Sequence, residues 1–134
     1  MRNRWIALLL SSFLFPVLCG AQDQEKAWLG VWQSKLDGQT AAVVTLADDA
    51  GQPGGTVVLN IVRNEGSEAR IVGSEPLLLM HPRLNQRTLT FELKSPRPPD
   101  NMMDFTMVLK PDGTATIHCT NCMDAPVVEL TKEW

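Results

Sequence analysis

The residues best placed to do chemistry are the two cysteines of segment 118–122, which reads His-Cys-Thr-Asn-Cys. A β-turn brings its outer α-carbons within about 7 Å of each other, close to the distance that a disulfide tolerates. The spacing of Cys119 and Cys122 therefore favours a disulfide across a turn. Two alternatives stay open: a redox pair, which needs a thiolate at a helix start, and a zinc site that adds His118 and His81.

Other patterns of catalytic residues are missing or have simpler explanations. The motif Gly-x-Ser-x-Gly does not occur, and the neighbours Asp48 and Asp49 would point to opposite faces of a strand. The glycine-rich residues 51–55 are not followed by a helical pattern whose N-terminus could bind a phosphate. The sequence thus predicts no catalytic residue, no metal ligand and no cofactor, and a redox enzyme using Cys119 and Cys122 is a minor alternative.

The first 21 residues have the order of a secretory signal peptide. Arg2 and Arg4 precede an apolar run over residues 6–15, and small residues stand at Cys19 and Ala21. We expect cleavage after Ala21, which leaves 113 residues in the periplasm or outside the cell. Lipidation of Cys19 is the rival interpretation, but the residue before it is the bulky Leu18 rather than a small one.

Charge and hydropathy narrow the classes of partner. The full chain carries a net charge of −3, and loss of residues 1–21 removes two arginines and no acid, which gives −5. The remaining basic residues are scattered among acids, so we expect no nucleic-acid partner. No second apolar run reaches the roughly 20 residues of a membrane-spanning helix, so we expect no membrane span after the signal.

The mature chain reads as short strands separated by turn residues, with a polar lead-in over residues 22–27 and one domain over 28–134. Glycine, proline, asparagine and aspartate mark the reversals, for example at Asp37-Gly38 and at 111–113. We find no convincing helical period. The expected strands are 28–36, 40–47, 56–63, 68–72, 77–81, 88–94, 102–110, 114–119 and 127–132.

This pattern predicts an all-β fold, namely a small antiparallel up-and-down barrel, with an open β-sandwich as the alternative. Pairing of the first strand with the last would separate the two. Alternation along three strands turns one apolar set inward. If the interior is hollow, that set is expected to line a ligand cavity: Val57, Leu59, Ile61, Phe91, Leu93, Met103, Phe105 and Met107.

The first strand contains Gly30-Val31-Trp32, and in this it resembles the Gly-x-Trp strand that opens lipocalin-like barrels. Segments 84–91, 107–113 and 127–132 follow in the order seen in small lipocalin-like modules of exported bacterial proteins, some of which precede periplasmic hydrolase domains. The resemblance implies that the indole of Trp32 closes one end of the barrel. It also implies that a basic residue of the last strand, here Lys132, packs over that indole.

Two functions from different classes follow as expectations. The first is a non-catalytic accessory or binding module of the cell envelope, whose apolar interior would select a small apolar ligand. The second is a protein-interaction module, such as a periplasmic enzyme inhibitor or a hydrolase-leader domain standing alone, whose partner would be an envelope protein.

Overall fold

The computed structural model describes residues 19–36, 38–96 and 98–134, so most of the expected signal peptide lies outside the described residues. Within them the chain forms one helix followed by nine strands. The elements are α1 (Cys19–Trp28), β1 (Gly30–Leu36), β2 (Gln39–Asp49), β3 (Gln52–Glu65), β4 (Glu68–Leu78), β5 (Met80–Asn85), β6 (Thr88–Lys94), β7 (Met102–Leu109), β8 (Ala115–Cys119) and β9 (Val128–Lys132).

All nine strands belong to one antiparallel sheet with the order β4-β3-β2-β1-β9-β8-β7-β6-β5. Except for β4 and β5, strands that follow one another in the chain pair with each other, and the single non-sequential pair is β1 with β9, where Trp32 lies opposite Lys132. The all-β expectation is therefore confirmed, and the first and last strands meet. Short turns between successive strands leave few other arrangements open to such a chain.

A complete barrel is not observed, because no ladder joins the edge strands β4 and β5. The two strands follow one another in the chain with only Leu79 between them. An antiparallel pair needs a turn of at least two residues, so β5 cannot fold back onto β4. Instead the chain bends at Leu79, whose backbone N–H donates to the carbonyl of Gly55 at 3.0 Å, and β5 pairs with β6.

The sheet wraps around one core, since buried residues from both of its halves belong to a single cluster. Alternation along each strand determines which residues enter the core. Strand β6, for example, turns Leu89, Phe91 and Leu93 inward and its polar residues outward. The core contains Trp28, Trp32, Val44, Leu46, Val57, Leu79, Leu89, Phe91, Leu93, Met107, Ala115, Ile117 and Leu130.

The helix α1 departs from the sequence analysis, which expected residues 22–27 to lead into the domain without regular structure. The segment contains Gln, Glu, Lys and Ala, which favour helix, and Lys26 in the last turn suits the helix dipole. Among residues 24–28, whose side chains the structure describes, only Trp28 is buried, and this segment shows no apolar period from which a helix could be predicted. No helix within the described ranges is long and apolar enough to cross a membrane.

Candidate functional site

One end of the sheet is covered by α1 and by the residues that surround the Trp32 indole. We call it the helix end. Trp28 and Trp32 are fully buried with ring centroids 6.3 Å apart, and the indole Nε1 of Trp32 donates to the carbonyl of Trp28 at 2.9 Å. The ammonium of Lys132 lies 5.5 Å from the Trp32 ring centroid and 3.2 Å from the carbonyl oxygen of Ala27. This end is filled by side chains.

Glycine is required at position 30 by the close passage of the chain's last residues. Gly30 has φ of +133°, and a Cβ placed there would collide with the carbonyl oxygen of Trp134. That residue is held in place because its carbonyl accepts from the Val31 N–H at 2.7 Å, while the Glu133 N–H donates to the Val31 carbonyl at 2.8 Å. The Gly-x-Trp strand thus seals the helix end through its backbone as well as its indole.

The opposite end, called the mouth end, consists of the end of β1 at Leu36, the start of β2 at Gln39 and the loop over residues 119–126. Between them lies an apolar cavity of about 410 Å³, within the range of 300–1,000 Å³ typical of ligand pockets. Its walls are mostly aliphatic and aromatic side chains from the inner face of the sheet. The lining residues include Ser34, Ala42, Val57, Leu59, Phe105 and Val128.

The residues expected to line a ligand cavity divide into three groups. Val57, Leu59 and Phe105 do line it. Phe91, Leu93 and Met107 are buried in the core, and Phe91 stacks on Phe105 with centroids 5.7 Å apart. Met103 packs against the core and Ile61 is half-buried beyond Leu59 on β3. The interior is therefore filled towards the helix end and hollow at the mouth end.

The hollow exists because several inward positions at the mouth end carry small residues. Ala42 lies opposite Ser34 in the β1–β2 ladder, and Ala125 lines the same cavity from the loop. Small side chains at these inward-facing positions leave space. Further along the same strands, the larger Trp32, Val44 and Leu46 occupy the corresponding space. The sequence analysis missed these residues because it selected large apolar side chains only.

Two polar groups border the cavity. Ser34 is 2% exposed, which makes it the single buried polar residue among those the structure describes, and it brings a hydroxyl to an otherwise apolar wall. Lys35 also borders the cavity but is exposed, so its ammonium can stay in water. A ligand there would meet apolar surface and one buried hydroxyl inside, with the Lys35 cation at the exposed border.

The loop 119–126 is held against β7 by Thr120, whose backbone N–H donates to the Asp104 carbonyl at 2.8 Å, and by Asn121. The Asn121 side chain accepts from the Asp104 N–H at 2.8 Å and donates to the Met102 carbonyl at 3.1 Å. The sulfur atoms of Cys119 and Cys122 lie at bonding distance, with their α-carbons 5.5 Å apart. Both cysteines line the cavity, so the loop forms part of its wall.

The zinc alternative is not supported by the positions of its ligands. His81 on β5 contacts Glu92 through Nδ1, whereas His118 lies on β8 opposite Thr106 of β7. In the part of the chain that the structure describes, no three His, Cys, Asp or Glu side chains gather around a point where a metal ion could sit.

An unusual carboxyl pair lies at the helix end. Burial raises the pKa of Glu25 above the ordinary value of 4.5, and a hydrogen bond with the Asp48 carboxyl raises it further. Asp48 also accepts from the Gly51 N–H at 2.9 Å, which fixes it at the β2–β3 turn. The pair therefore connects α1 to the sheet most favourably when one carboxyl is protonated.

Comparison with known proteins gives no match: no protein-family model fits the chain, and neither a curated protein nor a solved structure is significantly similar to it.

Proposed function

We propose that this protein is a non-catalytic binding module that takes a small apolar ligand into the cavity at the mouth end. The main support for this proposal is that the cavity is bounded almost entirely by apolar side chains. The rest of the inner face is occupied by the buried core side chains. A concave, mostly apolar lining of this kind favours apolar ligands. Ser34 supplies one hydroxyl that could orient a ligand's polar atom.

Support for a binding role over a catalytic one comes from the cavity's chemistry. The side chains around it include a hydroxyl and an ammonium but no histidine or carboxylate. A hydroxyl needs an adjacent base to act as a nucleophile, and among the described lining residues the one basic group is the exposed Lys35, for which no hydrogen bond with Ser34 is observed. The two cysteines of the wall are paired with each other, which fits a structural role.

We also propose that the sheet functions as a lipocalin-like barrel exported to the periplasm or beyond. The support is the bend at Leu79, through which β4 runs on into β5, together with the β1–β9 pairing that joins the other side. Trp32 under the Lys132 ammonium matches the arrangement that the resemblance implies. A barrel of about eight strands has room for side chains or for one small ligand.

Binding of 1-decanol, followed by native mass spectrometry and calorimetry, tests the proposed function. The variant Ala42→Phe would fill the cavity, whereas Ala47→Phe places the same ring on an exposed position of the same strand. We expect 1-decanol to bind the unmodified chain and Ala47→Phe alike, and to bind Ala42→Phe at least about tenfold more weakly, or about 1.4 kcal/mol. Equal binding to all three, or none to any, would contradict the proposal.

A further inference from the structure

At the mouth end, strand β3 extends beyond its neighbour β2. The β2–β3 ladder ends with Ala42 opposite Leu59, but β3 continues to Glu65 and is paired there with β4 alone. Where the ladder ends, the Asn60 side-chain amide donates to the Thr40 carbonyl at 2.7 Å. Residues 60–74 thus form a two-stranded arm that projects from the sheet beside the cavity.

The arm has an unpaired edge on the side that faced β2. In an antiparallel pair, every second residue turns its backbone N–H and C=O away from the partner strand. Over residues 61–65, no described strand pairs with those groups. Such an edge is a template for another extended chain, and natural proteins either protect it or use it.

Exposed apolar residues concentrate at the same end. Of the eight large apolar side chains exposed among the described residues, five lie there: Leu36, Ile71, Val72, Met123 and Val127. Leu36 lines the cavity and is also exposed to solvent, Met123 follows Cys122, and Ile71 and Val72 belong to the arm. A small molecule enclosed in the cavity would leave these side chains in water, whereas a larger partner would cover them.

We propose that the mouth end binds an extended apolar segment of a partner protein, which pairs with the β3 edge over residues 61–65 and places one apolar side chain in the cavity. The inference rests on the proposed function, because it uses the same cavity. Main-chain hydrogen bonds would supply affinity along the edge, and the cavity would select the side chain that points inward. Because side chains alternate along a strand, the neighbouring side chains of the bound segment would point away from the cavity.

The charges of the arm favour a protein segment over a lipid surface. The arm carries Arg63 and Arg70 together with Glu65 and Glu68, so it has no net charge, and Arg70 lies 3.8 Å from Glu65. Attraction to an anionic membrane requires an excess of basic residues, which is not found here. A lipid surface would also leave the main-chain groups of the β3 edge without partners.

The test measures binding of a fluorescent, acetylated short peptide of alternating threonine and leucine to the purified full chain. Two counterpart peptides have the same sequence but carry N-methyl groups, one on its leucine amides and the other on its threonine amides. Each modification removes the N–H donors along one edge of the extended peptide. Pairing with β3 predicts that at least one counterpart binds about tenfold more weakly or worse, because its hydrogen bonds to the edge are lost. Ala42→Phe should also weaken the parent peptide, and Ala47→Phe should not.

The 1-decanol experiment separates the two proposals. If 1-decanol binds but the parent peptide does not, the cavity is a ligand site and the peptide proposal is overturned. It is equally overturned if both N-methylated counterparts bind as tightly as the parent, since the contact is then made by side chains alone. Sedimentation of the chain with anionic vesicles, without peptide binding, would assign the exposed apolar residues to a lipid surface and would also overturn it.

Discussion

At the scale of single residues, the helix end depends on Trp32 and Lys132. Trp32 is fully buried and donates its indole N–H to the Trp28 carbonyl, while Lys132 covers the ring with its ammonium exposed to water. Removing a buried aromatic leaves a cavity that neighbouring residues fill only in part. The two residues should therefore differ strongly in what they contribute to the free energy of unfolding.

We expect Trp32→Ala to lower the free energy of unfolding by about 3–5 kcal/mol and Lys132→Ala to lower it by about 1 kcal/mol. Urea denaturation, followed by far-ultraviolet circular dichroism, measures both. Lys132→Met is the matched control, because it keeps the apolar stem and loses the charge and the hydrogen bond to the Ala27 carbonyl, so it should fall between Lys132→Ala and the unmodified chain. A Trp32→Ala loss below about 1 kcal/mol would contradict the assigned packing.

Glu25 should make stability depend on pH. Its pKa is raised in the folded chain by burial and by Asp48, so the protonated form favours the folded state. This contribution to the free energy of unfolding is fully present below pH 4.5, the pKa of Glu25 in the unfolded chain. It is lost as the pH rises through the higher pKa of Glu25 in the folded chain. We expect Glu25→Gln to remove this part of the pH dependence, as measured by melting temperature across the acidic range. An unchanged pH profile in Glu25→Gln would show that the pair does not act in this way.

At the scale of elements, the sequence predicted the strands best where polar and apolar residues alternate. The β6 boundaries at 88 and 94 agree with the structure, and β7, β8 and β9 differ by a single residue at one end. The expectation failed where turn residues were given too much weight. Residues 52–55 were expected to form a loop, yet they lie in β3 because Gly54 and Gly55 sit against β2 without a side chain in the way.

The cavity could not be predicted because it depends on which inward positions are small once the strands are paired. Val57 and Leu59 were identified from alternation, but Ser34, Ala42 and Ala125 join them only through the β1–β2 register and the course of the loop. Helix α1 was missed for a related reason, since tertiary burial of Trp28 rather than an apolar period stabilises it.

The loop 119–126 gives a prediction at the same scale. Cys119 and Cys122 should resist thiol alkylation until the protein is reduced, as peptide mass mapping will show. Replacement of both by serine should cost no more than about 2 kcal/mol, because the closed loop is short and restrains little of the unfolded chain. Asn121 still ties the loop to β7 in that variant. Rapid alkylation without reductant would mean that the sulfurs are not bonded.

At the scale of the whole molecule, the two ends of the sheet have different roles. The helix end is filled by Trp28, Trp32 and their neighbours and is covered by α1. The mouth end has the cavity, the projecting arm and most of the exposed apolar residues. Under the proposed function, binding belongs to the mouth end, so we expect substitutions there to alter binding while the core at the helix end stays intact.

The measurement that tests this account most directly is a titration of the isotope-labelled protein with 1-decanol, followed by methyl nuclear magnetic resonance. Saturable shifts are expected at methyl groups of the mouth end, such as Ala42, Leu59 and Val128, while Val44 and Leu89 near the helix end stay unchanged. The shifts should disappear in Ala42→Phe. Shifts spread evenly over both ends, or none at saturating 1-decanol, would contradict the claim that the cavity is the binding site.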